Sequence, residues 1–354
     1  MIDRPGSNHA SRNGSPLRPA YATTASYRPD NVGVADDVHP VFHEGRVAVI
    51  TGAASGIGHA AALELARLKM KIAIADIDEA NLQKVGKEVA AIIGDANLLV
   101  IPTDVSQLDQ VVHLKDKVYE AWGEVAVLMN NAGIGAKGTS WDGLDNWKKV
   151  FDINVFGVVN VQQTFVPAMI HQENEAVVIN TGSKQGITNP PGNAAYNASK
   201  AAVKSLTEGL AYELRERPDP HVTAHLFVHL TAPNSYPHLV LVVSLRRLLT
   251  LQSPGWTFTG LAGAKVMSTK PDGAWSAQET VLYMLDKVRA GDFYVLVPDN
   301  ETRREMDELR IMWTAGDIVE GRPALSRWHR DYKALFEEYM REGLGVSSES
   351  GRSF

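Results

Sequence analysis

Short apolar runs alternate along this chain with longer stretches in which apolar residues recur at helical spacing. From Gly45 onward the runs are RVAVI, KIAIA, LLVIP, VAVLM, AVVIN, VTAHLF and FYVLV. Between them the spacing is helical, as at Val111, Leu114 and Val118. Continuous apolar strands separated by helices are typical of a parallel sheet covered on both faces. Right-handed crossovers then predict one doubly wound α/β domain over residues 45–297.

The two ends of the chain have different patterns. Beyond Val297 an apolar stripe near period 3.6 predicts a helical extension over residues 298–344, which would cap the core or pack on a second subunit. The stripe consists of Leu325, Trp328, Tyr332, Leu335, Phe336 and Tyr339. Residues 1–44 are rich in Ser, Pro, Asn and Gly without periodicity, which predicts a disordered leader. Residues 345–354 are expected to be a disordered tail.

Composition narrows the function classes. The net charge of 35 − 41 = −6 gives no indication of a nucleic-acid or anionic-membrane partner. The absence of cysteine excludes disulfides, thiolate catalysis and cysteine-bound zinc. The apolar stretch Leu239–Leu251 is short for a membrane span and contains Arg246 and Arg247. A cytoplasmic location is expected; arginines in the leader leave a mitochondrial transit peptide as the alternative, although its aspartates argue against one.

A glycine-rich turn joins the first apolar run to the first helix. Gly52, Gly56 and Gly58 allow a tight turn and a close backbone approach to a pyrophosphate, which Ser55 and Ile57 would also contact. The helix N-terminus adds free N–H groups and a partial positive charge. The turn therefore predicts a Rossmann-type dinucleotide site, with an ordinary tight turn as the alternative.

Asp76 ends the second apolar run, downstream of the glycine turn. A carboxylate at this position can accept hydrogen bonds from the adenosine ribose hydroxyls and would repel a 2′-phosphate. Ser55 supplies no compensating cation, so NAD is favoured over NADP. The alternative is that Asp76 only caps the following helix, a role that Asp78 could fill instead.

Six motifs in order resemble those of the short-chain dehydrogenases/reductases, over roughly Gly45 to Phe227 and again at PGWTFTG. They are the glycine loop from Thr51 to Gly58, Asp104 and Val105 after the third run, NNAG with Asn131, Ala132 and Gly133, Asn154 in FDINVFG, Ser183 in TGSKQG, and YNASK with Tyr196 and Lys200.

The chemistry of the last motif follows from its residues. Tyr196 and Lys200 are at i and i+4, so they share one face of a helix. A free tyrosine has a pKa of about 10, and a neighbouring ammonium favours the phenolate. Tyr196 could then take a proton from an alcohol or donate one to a carbonyl, while Ser183 holds the substrate oxygen. Taken singly, these residues could equally be a surface tyrosine, a surface lysine and a strand-end serine.

The resemblance implies further roles. Lys200 would also bind the nicotinamide ribose, Asn154 would hold a water that links the lysine to solvent, and Asp104 would contact adenine. The resemblance also implies that Pro254 and Gly255 lie against the nicotinamide and that Thr259 binds its carboxamide. A homodimer or homotetramer packed through the helices that bear Asn154 and Tyr196 is expected.

Three histidines follow one another at a spacing of four, at His221, His225 and His229. On a helix they could ligate a metal. Their segment alternates and carries valine and threonine, which predicts a strand, so no metal site is expected.

Residues 228–253 interrupt the expected path from Phe227 to Pro254. This segment lacks Asp, Glu and Gly and is rich in Leu and Val. One hypothesis is a translated retained intron; the alternative is a genuine loop near the substrate that could act as a lid.

The predicted function is NAD-dependent hydride transfer between nicotinamide and a secondary alcohol or ketone. The first alternative is a non-catalytic or inactive protein of this fold whose nicotinamide loop is disrupted, and the second is an epimerase or dehydratase that uses bound NAD internally.

Overall fold

A computed structural model describes residues 39–135, 139–229, 257–258, 275–298 and 304–345. Its main feature is a seven-stranded parallel sheet. The strands of this sheet are β1 (Val47–Thr51), β2 (Lys71–Asp76), β3 (Leu98–Pro102), β4 (Val127–Asn130), β5 (Ala176–Thr181), β6 (Val222–Val228) and β9 (Tyr294–Leu296). A separate pair is formed by β7 (Thr257–Phe258) and β8 (Trp275–Ser276). The seven apolar runs thus form the sheet, and the predicted doubly wound fold is confirmed.

Helices cover both faces of the sheet because its strands are apolar on both sides. The described helices are α1 (Gly56–Arg67), α2 (Glu79–Ile93), α3 (Leu108–Trp122), α4 (Leu144–Phe151), α5 (Gly157–His171), α6 (Gln185–Thr188), α7 (Ala194–Arg215), α8 (Ala277–Arg289), α9 (Arg304–Val319) and α10 (Lys333–Leu344). In β1, Ile50 packs with α1, α2 and α8, whereas Val49 packs with α3, α5 and α7 on the opposite face.

The strand order is β3-β2-β1-β4-β5-β6-β9, so it reverses between β1 and β4. The chain adds β2 and β3 on one side of β1, then crosses to add β4, β5 and β6 on the other. The loops after β1 and β4 therefore diverge and leave a crevice at the carboxyl ends of these strands, which is where ligands bind in open α/β sheets.

The segment before β1 corrects the predicted leader. Val41 and Phe42 are buried in the core cluster that contains Ile50. The Arg46 guanidinium donates to the Pro40 carbonyl, and Arg289 lies 5.4 Å from the Phe42 ring centroid. The prediction of disorder is therefore wrong for residues 39–44, and residues 1–38 lie outside the described part.

The end of β6 includes the first residue of the proposed insertion. Val228 is fully buried and pairs with Leu296 of β9. His229 is also buried and stacks on Phe227 at 5.4 Å between ring centroids. Val228 thus continues the sheet, whereas residues 230–253 of the proposed insertion lie outside the described part.

The C-terminal extension is helical, but its stripe is not one helix. Leu325 has a left-handed backbone (φ 57°), a 3-10 turn follows over Ser326–Trp328, and α10 begins at Lys333. Leu335 is exposed, so the stripe from 325 to 339 does not share one buried face. Instead Trp313 of α9 packs with Phe336 and Met340 of α10 in a small core of its own, and α9 packs against α6.

One helical stretch, Leu144–His171, is long and apolar enough by length and composition to cross a membrane. Its residues Val161, Phe165 and Met169 are buried against the sheet. Core helices of soluble proteins meet the same criteria, so this stretch by itself does not indicate a membrane span.

Candidate active site

A groove of about 300 Å³ lies at the carboxyl ends of the central strands, over the crevice between β1 and β4. Most of the predicted cofactor-binding residues line it. They are Gly52, Ser55, Gly56, Ile57, Asp76, Asp104, Val105, Asn131, Ala132, Gly133, Tyr196 and Lys200. Segments that are far apart in sequence thus form a single elongated site.

The glycine loop has the backbone that its sequence predicts. Gly52 (φ 67°) and Gly56 (φ 58°) adopt left-handed conformations that other residues rarely adopt. A Cβ on Gly58 would lie 2.2 Å from the Gly52 carbonyl oxygen, so Gly58 packs the helix onto the loop and does not line the groove. Ser55 makes no side-chain cap, and the first turn of α1 holds no acidic residue. These helix N–H groups therefore offer a cradle for an anion.

The Asp76 carboxylate is fixed by the main chain at one end of the groove. Its Oδ2 accepts from the Ala54 N–H at 3.0 Å and its Oδ1 accepts from the Asp78 N–H at 2.9 Å. Asp78, not Asp76, caps α2, because its carboxylate accepts from the Asn81 N–H at 3.1 Å. Asp76 lines the groove, and each of its carboxylate oxygens has a further lone pair that can accept a hydrogen bond from a ligand.

The β3 end is held by Asp104 and Val105. Asp104 Oδ1 accepts from the Ser106 N–H at 2.9 Å and from the Ser106 hydroxyl at 2.7 Å. The Asn160 amide donates to the Val105 carbonyl at 2.9 Å. Both residues are therefore rigid parts of the groove wall.

The NNAG segment is bonded to the glycine loop. Thr51 Oγ1 accepts from the N–H groups of Asn131 (3.0 Å) and Ala132 (3.2 Å). The Asn131 amide donates back to the Thr51 and Gly52 carbonyls, each at 3.2 Å. These bonds hold the ends of β1 and β4 in register across the crevice.

Tyr196 and Lys200 meet on α7, as their spacing predicts. Both are buried, and the Lys200 ammonium lies 5.7 Å from the Tyr196 ring centroid. Lys200 Nζ donates to the Thr181 carbonyl at 2.7 Å. Burial lowers the pKa of Lys200 to about 8, because the ammonium loses most of its hydration.

Asn154 lies behind the groove, in a π-helical turn (Asp152–Phe156) between α4 and α5. Its Oδ1 accepts from the Ile134 N–H at 2.8 Å, and its amide donates to the Ile134 carbonyl (2.9 Å) and to Ser199 Oγ (3.1 Å). The side chain thus braces the loop after β4 against α7. Asn154 does not line the groove itself.

Ser183 follows β5 and is buried. Its Oγ accepts from the Gln185 N–H at 3.2 Å. It does not line the groove as described, although the neighbouring Gly186 packs closely on Lys200: a Cβ there would lie 2.4 Å from the Lys200 carbonyl carbon. Pro254, Gly255 and Thr259 lie outside the described residues.

Sequence reasoning missed several residues of the groove. They are Ala54, Ile77, Asp78, Thr103, Ile134, Ile153, Thr181 and His229. Thr181 ends the fifth strand and His229 follows the sixth. Because ligands of open α/β sheets bind at the carboxyl ends of the strands, inspecting that end of every strand would have found both residues. It also missed a buried chain of hydrogen bonds from Asn130 to Asn180 (2.8 Å) and from Asn180 to Thr207 (3.0 Å), which joins β4, β5 and α7.

The histidine series follows a strand and not a helix, as its sequence predicts. His225 lies in the middle of β6, where it contacts the Asp292 carbonyl and Thr223, and His229 follows the strand. Within the described residues, no group of three or more His, Cys, Asp or Glu side chains could hold a metal ion.

Comparison with known proteins agrees with this geometry. Residues 46–224 match the profile of the family described as short chain dehydrogenase. The chain is 39% identical over 180 residues to the 3-oxoacyl-[acyl-carrier-protein] reductase FabG of Thermotoga maritima. The matched region covers 49% of this chain and 70% of that protein. The chain is 34% identical over 187 residues to the CLA biosynthesis dehydrogenase/reductase of Lactiplantibacillus plantarum, 52% of this chain and 65% of that protein.

A solved structure extends the similarity. The short chain dehydrogenase/reductase from Burkholderia phymatum in complex with NAD superposes with a TM-score of 0.64 at 31% identity. The match covers 79% of this chain and 96% of that one. The glycine loop, the NNAG segment and the Tyr–Lys helix thus stand in a frame shared with these proteins, and the chain belongs to the short-chain dehydrogenase/reductase family of oxidoreductases.

Proposed function

We propose that this protein is an NAD-dependent oxidoreductase that transfers a hydride between nicotinamide and a secondary alcohol or ketone. The observation that carries the proposal is the buried Tyr196–Lys200 pair in the same groove as the glycine loop and Asp76. One end of the groove suits a dinucleotide and the other holds an acid–base pair. No metal is needed for this chemistry.

The described residues fit a dinucleotide. The uncapped N-terminus of α1 would hold the pyrophosphate, Asp76 the adenosine ribose, and Lys200 the nicotinamide ribose. Gly133 packs closely on Asn154: a Cβ there would lie 3.3 Å from Asn154 Oδ1, so a larger residue would require this side chain to shift. The bound cofactor would supply the hydride donor or acceptor.

Charge favours NAD over NADP. Asp76 would repel a 2′-phosphate at the position where it meets the ribose. Of the residues that line the described groove, Lys200 alone is a lysine or arginine, and it lies at the opposite end from Asp76. The Burkholderia phymatum relative, whose structure is described as a complex with NAD, supports the same choice.

The proton would move through Tyr196. During oxidation its phenolate oxygen takes the proton of the substrate hydroxyl, and during reduction its hydroxyl donates one to the carbonyl oxygen. Lys200 favours the phenolate by its charge. Ser183 would hold the substrate oxygen, with its Oγ oriented by the Gln185 N–H.

A second candidate is a protein that binds NAD without turnover. It is favoured by the segment that follows His229, because the match to the family ends at residue 224 and residues 230–253 separate β6 from Pro254 and Gly255. A small-molecule substrate would then find the nicotinamide end of the groove incomplete.

One experiment separates these candidates. NAD⁺ and NADP⁺ binding is measured by calorimetry on the full chain and on a chain lacking residues 230–253, followed by turnover with a panel of secondary alcohols and ketones. Tight NAD⁺ binding with turnover that disappears in Tyr196→Phe supports the enzyme. Binding without turnover in both chains supports the second candidate, and preference for NADP⁺ would contradict the role given to Asp76.

The proposed assembly is a homodimer or homotetramer packed through α5 and α7. Phe156, in the π-helical turn before α5, and Tyr212, near the end of α7, are large side chains that remain exposed (55% and 58%). Exposed aromatic residues of this kind suit a subunit interface.

A further inference from the structure

The C-terminal extension contacts the main domain beside Ser183. Asp307 of α9 forms an ion pair with Lys184, the residue that follows Ser183. Both side chains are buried, with 9% of each exposed. Because a buried ion loses its hydration, each of these charges depends on the other.

The charges around this pair make Asp307 the acceptor for more than one cation. Arg310 Nη1 lies 3.5 Å from Asp307 Oδ1, and its side chain is 12% exposed. Arg327 is partly buried, and its pKa is lowered to about 9 by desolvation and by repulsion from Arg310, whereas Asp307 opposes that shift. Loss of this carboxylate would therefore leave like charges together in a site with little water.

The turn that carries Lys184 has little freedom to move. The Lys184 N–H donates to the His229 carbonyl at 3.2 Å, and the Lys184 carbonyl accepts from the Thr188 N–H at 3.0 Å. On the other side of the turn, Gly186 is in backbone contact with Lys200. The turn is thus held between α7, which bears the Tyr–Lys pair, and α9, which bears Asp307.

We propose that Asp307 is a positioning residue: through Lys184 it holds the Ser183–Thr188 turn against α7 and so sets Ser183 relative to Tyr196 and Lys200. This inference rests on the proposed function, because it gives the extension a part in orienting the substrate oxygen. Asp307 touches neither substrate nor cofactor in this proposal. The extension acts as the outer wall of the substrate side of the site.

The test compares Asp307→Asn with Glu308→Gln. Glu308 is the next residue of α9 and pairs with Arg304 at 2.9 Å, but it is 52% exposed, so its loss is expected to change little. Three quantities are measured: deuterium uptake by the amides of residues 184–188, the Kd for NADH, and kcat and KM for NADH-dependent reduction of a ketone panel. In Asp307→Asn we expect faster uptake in this turn, an unchanged Kd, and a kcat/KM lower by on the order of tenfold or more.

Two further variants keep the test decisive. Lys184→Met leaves Asp307 paired with Arg310, so it removes the tether without stranding a buried carboxylate, and the same rise in uptake is expected. Asp307→Glu retains the charge and should restore part of kcat/KM. Uptake unchanged at residues 184–188 in Asp307→Asn and Lys184→Met overturns the proposal.

A uniform rise in uptake across the sheet, with NADH affinity falling in parallel, also overturns it, because Asp307 would then only stabilise the fold. Deuterium uptake does not depend on turnover. Failure of the proposed function would instead appear as a wild-type protein that does not bind NADH or reduce any ketone, so the two failures are distinct.

Discussion

Asp76 is fixed in place before any ligand arrives. Two main-chain N–H groups, from Ala54 and Asp78, orient its carboxylate towards the groove. Since Asp78 caps α2, the charge at Asp76 is not needed by the helix. Cofactor choice can therefore be tested there without loss of the α2 cap.

Asp76→Asn removes the negative charge and retains the shape of the side chain, but it leaves one oxygen to accept from the Ala54 and Asp78 N–H groups where the carboxylate has two. Hydrogen bonds to a charged acceptor contribute about 1.5–3 kcal/mol, so NAD⁺ affinity should fall roughly ten- to hundredfold while NADP⁺ loses its repulsion. Calorimetric Kd values for both cofactors measure the change. Asp78→Asn is the control, since asparagine also caps helices well; an equal loss in both variants would refute a specific ribose contact.

Lys200 predicts a dependence of stability on pH. Its pKa falls from 10.5 unfolded to about 8 folded, so the unfolded chain binds more protons between these values and stability rises with pH through that window. Below pH 8 the folded protein carries the full cost of the buried charge, on the order of 3 kcal/mol. The free energy of unfolding of wild type minus that of Lys200→Met should therefore increase between about pH 7.5 and about pH 9.5. Urea unfolding at both pH values measures it, and a constant difference would mean that Lys200 titrates normally.

At the scale of elements, the site depends on helices that approach one another closely. Gly186 of α6 lies against the Lys200 carbonyl of α7, and Gly58 of α1 lies against the Gly52 carbonyl. Backbone contacts of this kind cannot yield to a side chain in the way that a flexible residue can. Small residues at these positions thus decide how the elements meet.

Gly186→Ala should separate α6 from α7. Its Cβ would lie 2.4 Å from the Lys200 carbonyl carbon and 2.6 Å from its oxygen. We expect a loss of about 1–3 kcal/mol in unfolding free energy and a lower kcat, because Ser183 moves with the turn. Gly209→Ala is the matched control on α7, where a Cβ meets nothing within 4 Å. That variant should gain about 0.5–1 kcal/mol, and equal thermal midpoints for both variants would contradict the contact.

Local motifs explain what could be predicted from the sequence. The glycine loop and the Tyr196–Lys200 spacing each lie within one turn or one helix, where a few residues determine the geometry. Asn130–Asn180 and Lys184–Asp307 join residues from distant parts of the chain, and no short pattern marks such partners. Phe42 was misassigned for a related reason: a short apolar pair in a polar segment shows no periodicity, although it completes the core beneath Arg289.

At the scale of the whole molecule, the exposed aromatic side chains of Phe156, just before α5, and Tyr212, on α7, predict self-association. Light scattering should give a mass of two or four times 38.6 kDa. Phe156→Glu should lower that mass, because a charge at a subunit interface is costly to desolvate. Ile318→Glu, at a site that is 87% exposed on α9, is the control and should leave the mass unchanged. A monomeric wild-type protein would refute the proposed assembly.

The order of the groove along the chain has a consequence for biosynthesis. Apart from His229, every residue that lines the described groove lies between Gly52 and Lys200, whereas Asp307 follows much later in the chain. A ribosome therefore completes the cofactor half of the site well before it releases the residue that holds Ser183. Nascent chains are expected to gain affinity for the dinucleotide first and the ability to orient a substrate only after Asp307 has been added.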